Sequence, residues 1–463
     1  AQACSFSFFT NKTCTRRFFR ISAAGSSVRT EVIAGLSTFA AMAYIICVQP
    51  ALLSGVMGGH PTGMPFGALL TTTCIMSAFG SILMGVVANY PIGLAPGMGS
   101  NFFFVFNVLG GCAAATGMAI GTPEVWHAAL GVVLLSGVLF LAVSFTNLRK
   151  SLLNSISPSM KNAIAAGLGL FIATLGLKNG HIIRIEDGQL MLGTALTDPA
   201  VIIFGAGLVV IAVLLIRRIP GGILIGMGAG ALIALAWGRI EFTGICGLPA
   251  NPMPVVAKAD VATVFRHAAE LIPLVVICMF MDIFDTMGTV IGVGTNAGLI
   301  RNGELPRAER VFAADSVATI VGAVGGHSTV TSYVESTVGV EAGGRTGLTA
   351  VVVGICFLLA LIFFPVISSV AGYAPITSSA LVAVGAMMMR NVTDIDWQDY
   401  SEAIPAFLII AGIPLSSSII GGIAVGLCIY PVIKLLAGKG RKLGWFSYLT
   451  AVLLLLYLGM AGR

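Results

Sequence analysis

Charge is what this chain has least of. Only 10% of its 463 residues are Asp, Glu, Lys or Arg, and the scarcity is concentrated: none lies between Glu31 and Glu124, between Arg345 and Arg390, or between Glu402 and Lys434. Hydrophobic residues make up 57% and the mean hydropathy is +0.98. Water does not support such a surface, which excludes an ordinary soluble domain and points to a chain that crosses a bilayer many times. Nucleic-acid binding is excluded too, because the net charge of +6 comes from basic residues scattered in loops and not from one patch. Metal-ligand and CxxC spacings are missing among the nine cysteines; Cys47, Cys74, Cys278, Cys356 and Cys428 fall inside apolar runs and read as small core residues. No HExxH, GxSxG or His/Cys cluster occurs in an apolar span, so an intramembrane enzyme, a metal site and an organic cofactor are not expected. The first twenty residues include Arg16, Arg17 and Arg20 but no long apolar core before a small-residue cleavage site, so a signal peptide is not expected.

What is present is apolar length and glycine. A window of about 20 residues, the length that crosses a bilayer, finds fourteen spans. The first half offers 31–53, 67–88, a broken 89–112, 126–147, 159–178, 200–216 and 221–238. The second offers 270–293, 308–325, a broken 326–341, 346–367, 374–389, a short 402–413 and 416–436. An apolar piece at 444–461 is left over. With 58 glycines, many of these helices must approach closely or break. A cytoplasmic N-terminus puts nineteen Lys/Arg on the inside and five on the outside, with Arg463 uncounted, and this orientation follows the positive-inside rule. The short loops suggest a bacterial inner membrane.

Two echoes organise the halves. Arg218 to Gly230 resembles Gly412 to Gly426. The third span of each half is interrupted: Asn89-Tyr-Pro-Ile-Gly-Leu-Ala-Pro-Gly-Met-Gly-Ser-Asn101 in the first, Gly325-Gly-His-Ser-Thr-Val-Thr-Ser-Tyr-Val-Glu-Ser336 in the second. Seven is odd, so the halves are inverted. Paired broken spans in inverted halves mark the binding site of a secondary transporter, because unpaired backbone is tolerated at membrane depth only where it is buried in protein or lines a wet cavity. Alternating access is therefore expected, and a channel is not.

The acids point to the same place. Asp282 and Asp285 stand three apart in the apolar run Val275 to Val293 and so share a helix face. A carboxylate near a bilayer centre costs roughly 2.5–3.5 kcal/mol on the mildest scale, so such residues usually face a cavity and bind something. Asn101 and Glu335 stand at the starts of the two half-helices, each offering its positive dipole end to the cavity. Together with Asp282 they suit a flat heterocycle with N–H and C=O groups on its rim.

The residues Val28 to Leu36, Asn89 to Asn101, Asp282 to Thr289, Ser328 to Ser336 and Gly343 to Ala350 resemble the AzgA-like branch of the nucleobase:cation symporter-2 family, over about residues 20–436. The resemblance implies an all-α polytopic membrane protein of fourteen transmembrane spans in two inverted seven-span repeats, with short extended segments in broken spans 3 and 10. It implies a core domain (31–147 and 270–367), a gate domain (148–269 and 368–436), and homodimers formed through the gate. An N-terminal cytoplasmic segment (1–30) and a C-terminal basic loop with the extra apolar piece (437–463) would flank them. It also implies purine substrates (hypoxanthine, guanine and adenine) moved with protons, H+ being the coupling ion. By resemblance the substrate carboxylate of span eight falls on Asp282, the span-ten glutamate on Glu335, the span-three asparagine on Asn101, and a second important aspartate on Asp285. The chain departs from the branch at His327, where Thr is usual, and at Gln49, where Asn usually precedes Pro50. A histidine at 327 could donate to a purine oxygen or take part in proton coupling.

Each functional reading has a structural counterpart. Asp282 and Glu335 could be paired structural acids, but no Lys or Arg shares their spans. Asp285, followed by Thr286, could serve packing hydrogen bonds. Asp315 reads as contacting its own turn, and Glu31 and Arg345 as ordinary span-end charges. Phe103, within Phe102 to Phe104, could stack on a purine or simply fill the core; Phe39 and Tyr44 are similar. The expectation is a proton-coupled purine symporter in which Asp282, Glu335, Asn101, His327 and Phe103 bind substrate, and Asp285, Asp282 and Glu335 carry the proton or support the site. The alternatives are a xanthine or uric acid permease of the same family, or an anion transporter on the same architecture.

Overall fold

The computed structural model describes residues 16–57, 61–146, 157–186, 189–193, 197–299, 306–416, 418–440, 443–444, 447–448, 451–452 and 454–455. The first half comprises α1 (Val28–Met42), α2 (Ile45–Leu53), α3 (Phe66–Leu83), β1 (Leu94–Pro96), α4 (Met98–Phe103), α5 (Leu109–Thr116), α6 (Pro123–Ser144), α7 (Pro158–Asn179), the hairpin β2 (Ile183–Glu186) and β3 (Gln189–Leu192), α8 (Pro199–Ile216) and α9 (Gly222–Ala236). The second comprises α10 (Val261–Arg266), α11 (Ala268–Asn296), α12 (Ala308–Val324), β4 (Val330–Ser332), α13 (Ser336–Glu341), α14 (Gly347–Ala360), α15 (Phe364–Ala371), α16 (Ala374–Met388), α17 (Tyr400–Ser416) and α18 (Ile419–Leu436). Helix starts follow cap chemistry. Ser27, Ser157, Asp198 and Thr346 accept from the N–H groups of Thr30, Met160, Ala200 and Leu348. Pro123, Pro158 and Pro199 sit in first turns, where a missing N–H costs nothing.

Among the described residues, 8 helical stretches are long and apolar enough to cross a membrane, or 9 if α15 and the bent α16 segment form one span. Three shorter apolar helices, α9, α14 and α17, accompany them. Of the other expected spans, 308–325 falls on α12 and 326–341 on β4 with the six-residue α13, a unit too short to cross a bilayer by itself. The piece 444–461 lies largely outside the described residues, as do Lys12, Arg149, Lys150, Arg301, Arg441, Lys442 and Arg463 of the charge comparison. The packing repeats with a seven-span offset. Helix α6 packs on α12 as α14 packs on α3; α4 meets α11 as α13 meets α1; α8 pairs with α9 as α17 pairs with α18; and α7 meets α17 as α16 meets α8. Two inverted halves produce this exchange of partners.

One end of the fold is clasped by residues far apart in sequence. Glu31, fully buried, accepts from the N–H groups of Arg345 (3.1 Å) and Thr346 (3.2 Å) and from the Thr349 hydroxyl (2.6 Å). Asn89, held at φ +54°, accepts from Gly347 N–H at 2.7 Å. A carboxylate and an amide oxygen thus cover the open N-terminus of α14, where negative charge is favoured. The Arg345 guanidinium donates to the carbonyl of Val340 in the last turn of α13 (2.6 Å) and to that of Gly344 just beyond it (2.7 Å). Beside this clasp the π-helical turn Met84–Ala88 that ends α3 crosses α14 at Gly85 and Gly347, where a Cβ on either would run into the backbone of the other, so only glycine permits the approach.

Candidate functional site

The two broken spans meet. β1 and β4 pair antiparallel, with Leu94 opposite Ser332, Ala95 opposite Thr331 and Pro96 opposite Val330. Gly97 N–H continues the pairing to the Thr329 carbonyl (3.1 Å), and Tyr333 N–H to that of Gly93 (3.0 Å). Pro91 and Pro96 forbid a helix here, and the strand partner supplied by the other half satisfies backbone that a single half would leave open. From this crossing α4 leaves with Gly97 at its N-cap and no side chain capping it, and α13 leaves with Glu335 at its N-cap.

The acids around the crossing divide into two kinds. Asp315 is spanned by two hydroxyls: Thr286 donates to Oδ2 at 2.6 Å and Ser332 to Oδ1 at 2.8 Å, while Thr286 and Thr331 lie 2.8 Å apart. These bonds stitch α11, α12 and β4 together, so Asp315 braces three elements and not merely its own turn. Asp282, 1% exposed, accepts from Thr319 at 2.8 Å through Oδ2, and its Oδ1 has no partner. Asp285, by contrast, is exposed. Its Oδ2 lies 3.4 Å from where a Gly97 Cβ would stand, at the start of α4. Glu335, 9% exposed, accepts from the Tyr44 hydroxyl at 2.8 Å. The ion pairs among the described residues all lie elsewhere.

The face of α11 that carries Asp285 also carries Gly288, Gly292 and Thr295, all exposed, and a Cβ on either glycine would meet nothing within 4 Å. Lipid is lined by bulky apolar side chains. Exposed Ile291 lies beside this stripe. Asp285 is thus exposed on a face of acid, glycine and threonine, and Asp282 is covered by protein.

The other expected residues are placed as follows. Asn101 is fully buried; its Nδ2 donates to the Pro96 carbonyl at 3.3 Å and its Oδ1 accepts from the Ser328 hydroxyl, so it ties β1 to the approach of β4. His327 is fully buried, with Nε2 2.7 Å from Thr72 Oγ1 and Nδ1 3.4 Å from Gln49 Nε2. The two positions that depart from the branch's usual residues, Gln49 and His327, are thus partners in space. Phe103 is 1% exposed within the main core cluster, and Phe39 packs edge-on against Phe357. Tyr44, a candidate for stacking in the sequence, instead holds Glu335 through its hydroxyl. Thr286, Thr319, Thr331 and Tyr333, whose hydroxyl reaches the Pro96 carbonyl at 2.5 Å, are site partners that the sequence reading does not name; the density of hydroxyls in Ser328 to Ser336 is a signal for Thr331 and Tyr333 alone.

Residues 29–425 match the family described as the Permease family. The chain is 40% identical to the guanine/hypoxanthine permease PbuO of Bacillus subtilis, over 95% of this chain and 99% of that protein. It is 37% identical to the adenine permease AdeP of Escherichia coli, over 95% of each. Among solved structures, the transmembrane domain of the cyanobacterial bicarbonate transporter BicA superposes with a TM-score of 0.59 at 13% identity, covering 86% of this chain and 97% of that one. SLC26A9 superposes at 0.61 with 11% identity, covering 93% and 70%. At such identities the likeness extends to the fold alone.

Proposed function

This chain belongs to the Permease family, and from that premise we propose that it takes up purine nucleobases (hypoxanthine, guanine or adenine) together with protons. It is a multi-pass membrane transporter and not an enzyme. The observation that carries the substrate reading is the crossing of the two broken spans, where Asp285 stands against Gly97 at the start of α4 and Glu335 stands at the N-cap of α13, neither in an ion pair among the described residues. Carboxylates at such a crossing favour ring N–H donors or a proton. The uncapped start of α4 offers backbone N–H groups to a ring nitrogen or carbonyl on the same ligand. In this scheme Asp285 and Glu335 reach the purine, with Tyr44 holding Glu335. Asn101 shapes the floor, and Asp282 stands in reserve behind Thr319 with one free oxygen. Asp282 was expected to be the ligand and Asp285 its support; the exposure of Asp285 supports the reverse arrangement.

A proton taken up by this cluster lowers its negative charge by one for the crossing, and one charge moving inward gains about 2.3 kcal/mol per 100 mV of membrane potential. Spans 1–4 and 8–11 would move as a core against a gate of spans 5–7 and 12–14, a division that the packing partners support. The scheme takes the N-terminus as cytoplasmic, the membrane as the bacterial inner membrane, and the protein as a dimer through the gate. Relatives named guanine/hypoxanthine and adenine permeases at 36–40% identity support the purine class. An anion substrate, as the bicarbonate transporter of like fold would suggest, meets acids and no basic side chain in an ion pair with them among the described residues.

The test is uptake of radiolabelled hypoxanthine, guanine and adenine at two external pH values, with xanthine, uric acid, sulfate and bicarbonate as competitors. Uptake that rises in acid and is blocked by purines alone is expected. Uptake of sulfate or bicarbonate without any purine would overturn the reading, and competition by xanthine or uric acid alone would move it to that alternative.

A further inference from the structure

His327 has no ring nitrogen left for a substrate. The Thr72 hydroxyl proton is already directed to its own helix, at the carbonyls of Ala68 (3.1 Å) and Leu69 (3.2 Å). With the hydroxyl proton placed on that helix bond, Thr72 Oγ1 accepts at 2.7 Å and His327 Nε2 carries the proton. Nδ1 is then an acceptor, which the amide N–H of Gln49 meets at 3.4 Å, leaving Gln49 Oε1 buried and without a partner. The three residues come from α2, α3 and the segment before β4, so the imidazole is a rivet between two helices and an extended strand.

What the rivet holds is the next residue along. Ser328 donates to Asn101 Oδ1, the Thr329 carbonyl accepts from Gly97 N–H at 3.1 Å, and Val330 opens β4. An extended segment has no internal hydrogen bonds, and its place is set by its neighbours. We propose that His327 is a positioning residue of the transport site: pinned by Thr72 and Gln49, it fixes segment 328–330 and, through Ser328 and Thr329, the place of Asn101 and the first turn of α4. The effect on transport rests on the reading that this turn meets the substrate.

The experiment compares His327→Gln with His327→Asn. Gln carries an N–H to the reach of Nε2 and keeps the Thr72 bond; Asn offers an acceptor near Nδ1 but falls short of Thr72. In membranes with equal amounts of inserted protein, His327→Gln keeps KM for purine uptake within about 3-fold of wild type. His327→Asn raises it about 10-fold, the scale of one lost buried hydrogen bond. In a Ser328→Ala background the Asn effect shrinks to less than half, because its route is already cut. Equal behaviour of the two variants, or full additivity with Ser328→Ala, overturns the proposal. Hydrogen exchange of the amides of 328–332, read without substrate, gives a second measurement: His327→Asn speeds exchange there about 10-fold, and unchanged exchange overturns the positioning role. If wild-type protein takes up no purine, the substrate reading falls, while the exchange measurement still decides the role of His327.

Discussion

Replacing Asp285 and Asp282 separately by Asn asks which of two acids, three residues apart, reaches the ligand. Asn copies the shape of Asp and removes only the charge. At position 285 the change takes a charged acceptor off the exposed face beside Gly97. A hydrogen bond to a charged partner contributes about 1.5–3 kcal/mol, which at about 1.4 kcal/mol per tenfold is a loss of roughly 10- to 150-fold in purine affinity. At position 282 the Thr319 hydroxyl still finds the Asn oxygen, and the amide NH2 takes the place of an oxygen that has no partner to lose. The cost there stays near 1 kcal/mol, roughly 5-fold. Equilibrium binding of labelled hypoxanthine to purified protein measures both, free of the transport cycle. A loss in Asp282→Asn as large as that in Asp285→Asn would refute the argument from exposure.

Three other outcomes are expected. Gly288→Cys reacts with a membrane-impermeant maleimide added from one side of the membrane in a cysteine-depleted background, whereas Thr289→Cys, on the buried face, does not from either side; labelling of both alike, or only by lipid-soluble reagents, would place that face in lipid. Gly85→Leu drives a side chain into the Gly347 carbonyl and the Val351 side chain and destabilises by about 1–3 kcal/mol or more, read as a lower Tm in detergent, while Gly288→Ala leaves Tm unchanged. The hydrogen bond from Lys439 (2.8 Å), then that from Ser401, holds the Asp399 carboxyl below its ordinary value of 3.8. A depressed folded-state value stabilises the fold above the unfolded value and loses that contribution as pH falls through the folded one. The Tm difference between wild type and Lys439→Met is therefore present at pH 7 and fades below about pH 4; a difference that grows in acid would contradict the sign.

The clasp at α14 shows how one set of residues can be read twice. Glu31, Asn89 and Arg345 are ordinary span-end residues in sequence, and each was assigned a structural part or a place in a motif. Their work is long-range: Glu31 and Asn89 cover a helix start more than 250 positions away. Asp315 is similar. An aspartate early in a helical run suggests a local contact, yet its partners Thr286 and Ser332 come from α11 and β4.

The sequence by itself determined the membrane class, the two broken spans and the helix face that bears the acids. Each of these follows from local chemistry: the cost of charge in hydrocarbon, the backbone limits of proline, and the 3.6-residue period. The third dimension decided which acid is exposed and which is covered by protein, and that His327 meets Gln49 and Thr72 instead of a ligand. Helical period places Asp282 and Asp285 on one side of α11 but does not divide that side between surface and core. The division is made where α12 and β4 cover Asp282 and leave Asp285 bare, through contacts between residues far apart in the chain whose pairing no local pattern records.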